Sequence, residues 1–373
     1  MTADRYRRRR PRRPAKPILS LLAFLVTFTF FSTFFFSSYF SSSARTRSRL
    51  AKAAFNETLG FGDIIYISMP SRTDRQDAMT LLASWSGLIL HHFPGVDGAS
   101  IERKARPDHT PDDMPLSALG CWRAHANVWR HFLSTNLETV LVLEDDLDWD
   151  VNIHEIFELF SLYMQSNTLR TTPPPHHETE SAPYGLDWDI LNLGQCYNQP
   201  NADRLDLFAT YKDPYLPSSL DSVFVDMRMM MQQFKLSPED MQTNRVVSPS
   251  WQPTCTMAYA LTRSGAQRML FHSSYAGLHE PVDLEIISHA QSGKIKGYDL
   301  TPPPFNAWRT DGQKDSDNNA LNSRRAQSLH GKGNLGGYSL NIGTSVRREI
   351  ALEMARFDNW HDLSTAHPVS DSR

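Results

Sequence analysis

Cysteine is scarce in this sequence: Cys121, Cys196 and Cys255 are the only three among 373 residues. A disulfide framework of the kind that holds small secreted domains together needs more cysteines at closer spacing. A structural zinc site needs clustered Cys and His residues. Both are excluded, and two arrangements stay open: one bridge with a spare thiol, or three buried free cysteines.

The chain also lacks internal repeats and a large net charge. Its formal charge is −3 and 40% of its residues are apolar, which is enough for a substantial core and excludes a disordered chain. The small net charge hides an asymmetry, since residues 1–17 carry +7 and residues 18–373 carry −10. The two parts therefore lie in different surroundings, and we expect no nucleic-acid partner.

Charged residues are absent from the 23 positions between Ile18 and Phe40. As a helix this run is long enough to cross a hydrocarbon core of about 30 Å. The Arg-rich segment before it predicts a cytosolic N-terminus and a lumenal C-terminus, as in a type II signal anchor of the Golgi or ER membrane. A cleaved signal peptide is the alternative, but the run exceeds the usual apolar length of roughly 7 to 15 residues and no A-x-A site follows.

Composition divides the chain into five predicted parts. A Ser- and Arg-rich stem follows the anchor, and it ends with an N-glycosylation sequon at Asn56 on the side predicted to be lumenal. The parts are a cytosolic basic tail (1–17), the transmembrane anchor (18–40), the stem (41–60), a globular domain (61–310), and a C-terminal loop and helix (311–373) that packs on the domain or is partly disordered.

Strand and helix patterns alternate in the globular part. Residues 63–69 and 139–146 have the apolar content of buried strands, while 74–87 and 116–135 have helical spacing of apolar residues. Strands that alternate with helices favour an α/β fold with a mostly parallel, Rossmann-like sheet and helices on both of its faces.

Three stretches read as irregular: 165–185, 199–253 and 311–337. Long loops in a compact domain serve as functional lids or are disordered insertions, and composition does not separate the two.

The segment from Glu144 to Asp150 holds five carboxylates in seven positions, directly after a predicted strand. Strand alternation would put Glu144 and Asp146 on one side and Asp145 on the other. Two carboxylates about 5 Å apart repel by roughly 3 kcal/mol at an effective dielectric near 20, so a cation or a retained proton is expected there. Glu144 and Asp146 are therefore our predicted metal ligands, whereas Asp148 and Asp150 are predicted to be solvated and to begin the next helix.

The order of these residues in "LVLEDD" resembles glycosyltransferase family 25, which includes bacterial lipooligosaccharide and collagen-type galactosyltransferases. Within that family, the chain resembles a fungal-type member with one membrane span. Further segments that resemble the family follow in the same order: 65–75, 119–125, 254–270, 280–286 and, more loosely, 302–306.

The resemblance implies a GT-A-like fold and a nucleotide-sugar donor, most often UDP-galactose. It also implies a divalent metal, Mn²⁺ or Mg²⁺, at the acidic motif, and a glycan or glycoprotein as acceptor. Glu144, Asp145 and Asp146 occupy the positions of that motif, so that Glu144 and Asp145 are expected to face the donor as well.

Four further site residues follow from the resemblance. Arg72 and Arg75 stand where the first strand meets the nucleotide, a task that suits the planar guanidinium. His125 either packs in the core or contacts the donor. Asp283 either caps its helix or accepts the proton of the acceptor hydroxyl, while Glu285 is expected to face elsewhere.

Two other functions are alternatives to a hexosyltransferase. One is a non-catalytic lumenal protein of the same fold that binds glycans or acts as a scaffold. The other is a metal-dependent phosphoesterase, for which only residues 173–178 ("PPPHHE") offer further ligands. Ala124, where the family usually has Ser, leaves acceptor specificity the least defined property.

Overall fold

The computed structural model describes residues 52–166, 169, 182–308 and 339–358. The predicted basic tail, the predicted anchor and most of the predicted stem lie outside these residues, as do the tract at 173–178 and the stretch at 311–337. Within the described ranges, no helix combines the length and the apolar character that a membrane crossing requires.

The sheet has eight strands, and six of them run in one direction. The order is β2-β1-β3-β8-β5-β9-β7-β6, with β7 and β8 reversed, so the predicted mostly parallel sheet is confirmed. In addition, β4 and β10 form a small antiparallel pair. The strands are β1 (Ile64–Ser68), β2 (His91–Pro94), β3 (Thr139–Glu144), β4 (Leu147–Trp149), β5 (Ile190–Gly194), β6 (Ala209–Lys212), β7 (Asn244–Pro249), β8 (Ala258–Thr262), β9 (Gly297–Thr301) and β10 (Phe305–Ala307).

Helices connect most of these strands. A short π-helical segment, Phe271–Tyr275, extends the sixth helix. The α-helices are α1 (Thr73–Ser86), α2 (Leu116–Ser134), α3 (Ile153–Ser166), α4 (Val225–Gln233), α5 (Pro238–Thr243), α6 (Arg263–Leu270), α7 (Val282–Gln291) and α8 (Val346–Asp358).

The sheet is covered on both faces, as predicted. Leu141 and Leu143 of β3 belong to the apolar cluster that also contains residues of α1, α3 and α8. Val140 and Val142, on the opposite face of the same strand, pack with α2, α6 and α7. A strand enclosed by helices on both sides has no polar face, which explains why its sequence reads as a continuous apolar run.

The stretch 199–253 is more regular than predicted. It contributes β6 and β7 to the edge of the main sheet and carries α4 and α5, whose Met227, Met230 and Met241 form a third apolar cluster. The prediction of an irregular insertion is therefore wrong for this part. The elements are short, with four residues in β6 and six in α5, and so leave a weak periodic signal.

One disulfide bridge joins Cys196, after β5, to Cys255, before β8. Cys121 remains a free thiol, so the structure has the first of the two arrangements that composition left open. The bridge closes a loop of 59 residues, which by chain entropy stabilises the fold by about 4 kcal/mol. It ties the central strands β5 and β8 together beyond their ends.

Candidate functional site

A cleft of about 380 Å³ lies where β1 and β3 end. In open α/β sheets, ligands bind beyond the carboxyl ends of the strands, because loops there converge without crossing the core. Of the seven predicted site residues, Asp283 does not line this cleft. The other six do: Arg72, Arg75, His125, Glu144, Asp145 and Asp146.

One wall of the cleft depends on a close approach between the chain after β2 and helix α2. A Cβ atom on Gly120 would lie 2.3 Å from the carbonyl oxygen of Val96, and one on Gly98 would lie 1.8 Å from that of Leu116. Neither position has room for a side chain. The Gly in "LGCWRAH" thus serves to bring α2 against the cleft.

Arg72 lies at the mouth of the cleft, just before α1 begins. Its Nε and Nη2 atoms donate to the two carboxylate oxygens of Asp74 at 2.9 and 2.8 Å. This charge-assisted pair lowers the pKa of Asp74 to about 2. The guanidinium is therefore held in one orientation at the edge of the site.

Arg75, in α1, is buried and also lines the cleft. Its Nη1 lies 2.6 Å from Oδ1 of Asp145 and 3.9 Å from Oδ2 of Asp146. Burial raises the pKa of Asp145, and the Arg75 charge only partly offsets this. The cation expected between two close carboxylates is thus supplied at least in part by the protein itself.

The predicted alternation of these carboxylates is wrong. The strand ends at Glu144 and the chain bends at the next two residues, so Asp145 and Asp146 both reach Arg75. Glu144 faces a different side, where its Oε1 accepts a hydrogen bond of 2.7 Å from Thr256. The period of two applies only while the backbone remains a strand.

His125 is buried on α2, as the packing alternative predicts, and it also lines the cleft. Its contact with a donor stays a prediction. Its Nδ1 lies 2.9 Å from the hydroxyl of Tyr259, and its Nε2 lies 3.6 Å from Oε1 of Glu144. Trp129 donates its Nε1–H to the same hydroxyl at 2.9 Å.

This chain of contacts has a direction. Indole nitrogen only donates, so the Tyr259 hydroxyl accepts from Trp129 and can donate its own proton to Nδ1 of His125. Burial raises the pKa of Tyr259, which keeps that proton in place. In the tautomer that accepts this proton, His125 carries its own proton on Nε2, the nitrogen that lies 3.6 Å from Oε1 of Glu144. Trp129 and Tyr259 were missed as supporting residues, since an apolar helix and a buried strand give no signal for them.

Cys121 and His125 stand one helical turn apart and face Glu144. One ligand atom from each of the three lies within 4.8 Å of the others. Sulfur, nitrogen and oxygen together suit a borderline-soft ion such as Zn²⁺ better than Mg²⁺. The exclusion of a zinc site from cysteine spacing therefore does not extend to this mixed Cys, His and Glu cluster. Burial raises the pKa of the Cys121 thiol, and the charges of Glu144 and Asp283 raise it further.

Asp283 is the second residue of α7. Its Oδ2 accepts a hydrogen bond of 3.3 Å from the backbone N–H of Cys255, and its Oδ1 accepts one of 3.0 Å from the N–H of Leu284 in the first helical turn. The N-cap position is Pro281, so Asp283 supports the helix start from within the helix. Its charge reaches the Cys121 thiol. The role of Asp283 as a proton acceptor stays a prediction.

Glu285 faces elsewhere, as expected. It is buried and accepts hydrogen bonds from the backbone N–H groups of His279 and Glu280, at 2.6 and 3.1 Å, while its other oxygen lies 3.0 Å from Nε2 of His289. Glu285 therefore holds the loop before α7 and is not directed into the cleft.

Asp148 was predicted to be solvated at a helix start, and this is wrong. It lies in β4 with no exposed surface. Its Oδ2 accepts hydrogen bonds of 2.6 Å from both Ser339 and Ser345, and its Oδ1 accepts one of 3.3 Å from the N–H of Arg347. Asp148 anchors the C-terminal segment, and burial raises its pKa.

Asp150 lies just before the start of α3, as predicted, but the prediction that it is solvated is wrong. Its Oδ1 accepts from the N–H of Asn152, the residue before α3, at 2.9 Å. Its Oδ2 accepts from the N–H of Thr344 at 2.7 Å, and the residue is 2% exposed. It therefore supports the helix start from the interior, and burial raises its pKa as well.

Arg347, at the start of α8, lies next to the acidic turn formed by residues 144–148. Its Nε donates to the carbonyl oxygen of Leu147 at 2.8 Å, and its guanidinium lies 5.5 Å from the ring centre of Trp308. The charges of Asp148, Asp146 and Asp145 all act on it. A separation of 200 residues hides this contact from local sequence patterns.

Comparison with known proteins places the cleft residues in a recognised segment. Residues 62–172 match the family model described as "Glycosyltransferase family 25 (LPS biosynthesis protein)". The resemblance inferred from the motifs is therefore confirmed for this part of the chain. The segment includes β1, α1, α2 and the whole acidic turn.

Curated relatives match over a similar region. A "Glycosyltransferase 25 family member" of Anopheles gambiae is 30% identical over 116 residues, which is 28% of this chain and 19% of the relative. "Procollagen galactosyltransferase 1" of Danio rerio is 25% identical over 151 residues, 37% of this chain and 22% of the relative. "Procollagen galactosyltransferase 2" of Homo sapiens is 22% identical over 153 residues, 38% and 22% respectively. The chain spans about a fifth of the length of these relatives.

Proposed function

We propose that this protein is a glycosyltransferase that moves a hexose, with galactose as the first candidate, from a UDP-sugar to a hydroxyl of a glycan or glycoprotein. One observation carries the proposal. The segment that matches family 25 folds so that three acids and two arginines line one cleft at the carboxyl ends of parallel strands.

The charges in the cleft suit a diphosphate. Arg72 and Arg75 offer the planar donors that pair well with phosphate oxygens, and Arg72 is already held in place by Asp74. Because Arg75 also pairs with Asp145, a bound diphosphate would share that guanidinium with the carboxylate. These residues bind and orient the donor without taking part in bond exchange themselves.

The donor atoms of Asp145 and Asp146 fit a hard divalent ion such as Mn²⁺ or Mg²⁺. Both carboxylates line the cleft and lie against the same arginine, and oxygen ligands of this kind are the ones these ions prefer. When bound, the ion would neutralise charge on the leaving diphosphate. Glu144 was also predicted as a metal ligand, but it faces Thr256 and His125, so we assign it to donor contact first.

His125 would hold a donor group or a substrate hydroxyl through its Nε2–H, in an orientation fixed by Tyr259 and Trp129. Asp283 remains our candidate for the proton acceptor. Its Oδ2 is fixed by the Cys255 N–H, while its carboxylate, half-buried, keeps capacity to accept a proton from an acceptor hydroxyl.

The uncharged run from Ile18 to Phe40 and the basic segment before it support a single-pass type II orientation in the Golgi or ER membrane. We propose that the described domain lies on the lumenal side. Nucleotide sugars and glycan acceptors would then be met in the secretory lumen.

A donor screen tests the proposed activity. Full-length protein in detergent would be incubated with each UDP-hexose and Mn²⁺, and UDP release would be measured with and without a glycan acceptor. We expect release with one donor in clear excess, and loss of release with EDTA. Absence of hydrolysis and transfer with every donor would contradict the proposal and favour a non-catalytic glycan-binding protein.

A further inference from the structure

Asn56 lies in a tight turn at the end of the predicted stem, before the first strand, and it is exposed. Its side-chain oxygen accepts hydrogen bonds from the backbone N–H groups of Thr58 and Gly60, at 3.0 and 2.8 Å. The Thr58 hydroxyl lies 3.1 Å from the same oxygen. The orientation of the Asn56 amide is therefore fixed by its oxygen alone.

The amide nitrogen of Asn56 has no hydrogen-bond partner among the residues that the structure describes. An amide held by Oδ1 directs its NH₂ group away from the turn and toward solvent. Replacing one hydrogen of this group by a sugar leaves both lone pairs of Oδ1 in place. The turn can thus accept a substituent on Nδ2 without losing the contacts that form it.

The sequence around this nitrogen has the required form. Asn56, Glu57 and Thr58 make up the only N-x-S/T tripeptide in the 373 residues. The Thr58 hydroxyl, which the tripeptide needs, is present in a half-buried side chain and donates to the carbonyl oxygen of Phe61 at 2.6 Å. The side chain that would receive the sugar, Asn56, is exposed in the folded turn.

The turn lies at the opposite end of the sheet from the cleft. Glu57 contacts the chain just before β2, through a 2.9 Å hydrogen bond from the N–H of Ile89, and Gly62 contacts the start of β3 at Thr139. The cleft lies where β1 and β3 end. Five residues of β1 separate the two by about 16 Å. A substituent on Asn56 would therefore not obstruct the cleft.

We propose that Asn56 carries an N-linked oligosaccharide. In its formation, Nδ2 forms a bond to C1 of an oligosaccharide held on a lipid diphosphate, the C1–oxygen bond to the diphosphate breaks, and the proton of Nδ2 passes to a base of the host transferase. The lipid diphosphate is the leaving group. The inference relies on the lumenal placement of the domain under the proposed function, but not on its catalytic activity.

The experiment uses the full chain expressed in eukaryotic cells and recovered from membranes. Peptide-N-glycosidase treatment should increase the electrophoretic mobility of the wild-type protein by the amount expected for loss of one oligosaccharide. The enzyme converts the modified Asn to Asp, and mass spectrometry should place that deamidated residue at position 56. Asn56→Asp keeps both acceptor contacts of the turn but loses the nitrogen, and it should migrate like the enzyme-treated protein. Wild-type protein that reaches membranes without a mobility shift would overturn the proposal.

Two variants of Thr58, the third residue of the tripeptide, serve as a matched pair. Thr58→Ser keeps the hydroxyl and should retain the oligosaccharide, whereas Thr58→Ala should lose it although Asn56 is intact. Loss in both, or retention in both, would mean that position 56 is not modified through this tripeptide. Donor hydrolysis by Asn56→Asp should equal that of the wild type, so a failed donor screen and an unmodified Asn56 are separate outcomes.

Discussion

Asp145 and Asp146 line a cleft and keep 6% and 5% of their surface exposed, whereas Asp148, two residues further along the chain, is wholly enclosed by the C-terminal segment. The first two share Arg75, which lines the same cleft. The third accepts hydrogen bonds from two serine hydroxyls and a backbone N–H of the C-terminal segment. Within one short stretch, Asp145 and Asp146 thus belong to a candidate binding site, whereas Asp148 stabilises the fold.

This difference follows from what surrounds each group. A carboxylate at the edge of a cleft keeps access to incoming cations, so its charge is available to a ligand. A carboxylate without contact to water must be neutralised by hydrogen bonds within the fold, and then contributes to stability alone. Three predictions test how strictly the two uses are separated.

The largest effect is expected for Asp146→Asn. This change keeps the size of the side chain but removes its charge from the cleft, so donor turnover should fall by roughly 10² to 10³-fold. The free energy of unfolding should change by less than about 1 kcal/mol, because Arg75 retains its closer partner Asp145. Turnover assays and urea unfolding of the same preparation provide the measurements. An active variant would show that Asp146 is not part of the site.

Asp148→Ala should have the reverse profile. Removal of the carboxylate leaves the hydroxyls of Ser339 and Ser345 and the N–H of Arg347 without their acceptor, which should lower the free energy of unfolding by about 4 kcal/mol. Turnover per folded molecule should stay within about threefold of the wild type. Asp148→Asn, which keeps one acceptor oxygen, should lose less stability. A fall in turnover of the folded protein as large as that of Asp146→Asn would remove the distinction between the two groups.

The smallest effect concerns Asp299, a fully enclosed acid in β9 that accepts hydrogen bonds from Asn192, Asn198 and Ser250. Burial raises its pKa to about 6, above the usual value of 3.8. Between these two values the folded state binds more protons than the unfolded state, so stability should fall as pH rises from about 4 to about 6, by about 3 kcal/mol in total.

Asp299→Asn should remove this part of the pH dependence. The amide oxygen of Asn198 has no partner among the described residues, so that amide can turn over to accept from the new NH₂ group. Unfolding in urea at pH 4.5 and at pH 6.5 gives the slope for each protein. Equal slopes for the variant and the wild type would show that Asp299 is already ionised at the lower pH.

Much of the cleft could be predicted from sequence because its residues lie in short, ordered motifs. The strand ending at Glu144, the helix with Cys121 and His125, and the arginines after β1 each have a local signal, and the topology of parallel strands brings their ends together. The bend after Glu144 had no such signal. It moved Asp145 to the same arginine as Asp146, which simple alternation does not allow.

Local patterns were enough to predict the α/β alternation, the apolar faces of the strands and the acidic strand end, because period and residue type within one element suffice for these features. The resemblance to family 25 came from several short motifs in the same order along the chain. Three other features became visible only in the folded protein: the anchoring role of Asp148, the orientation of His125 by Tyr259 and Trp129, and the contact of Arg347 with the acidic turn. These contacts join residues 130 to 200 positions apart, and the burial that gives them their strength exists only once the chain has folded.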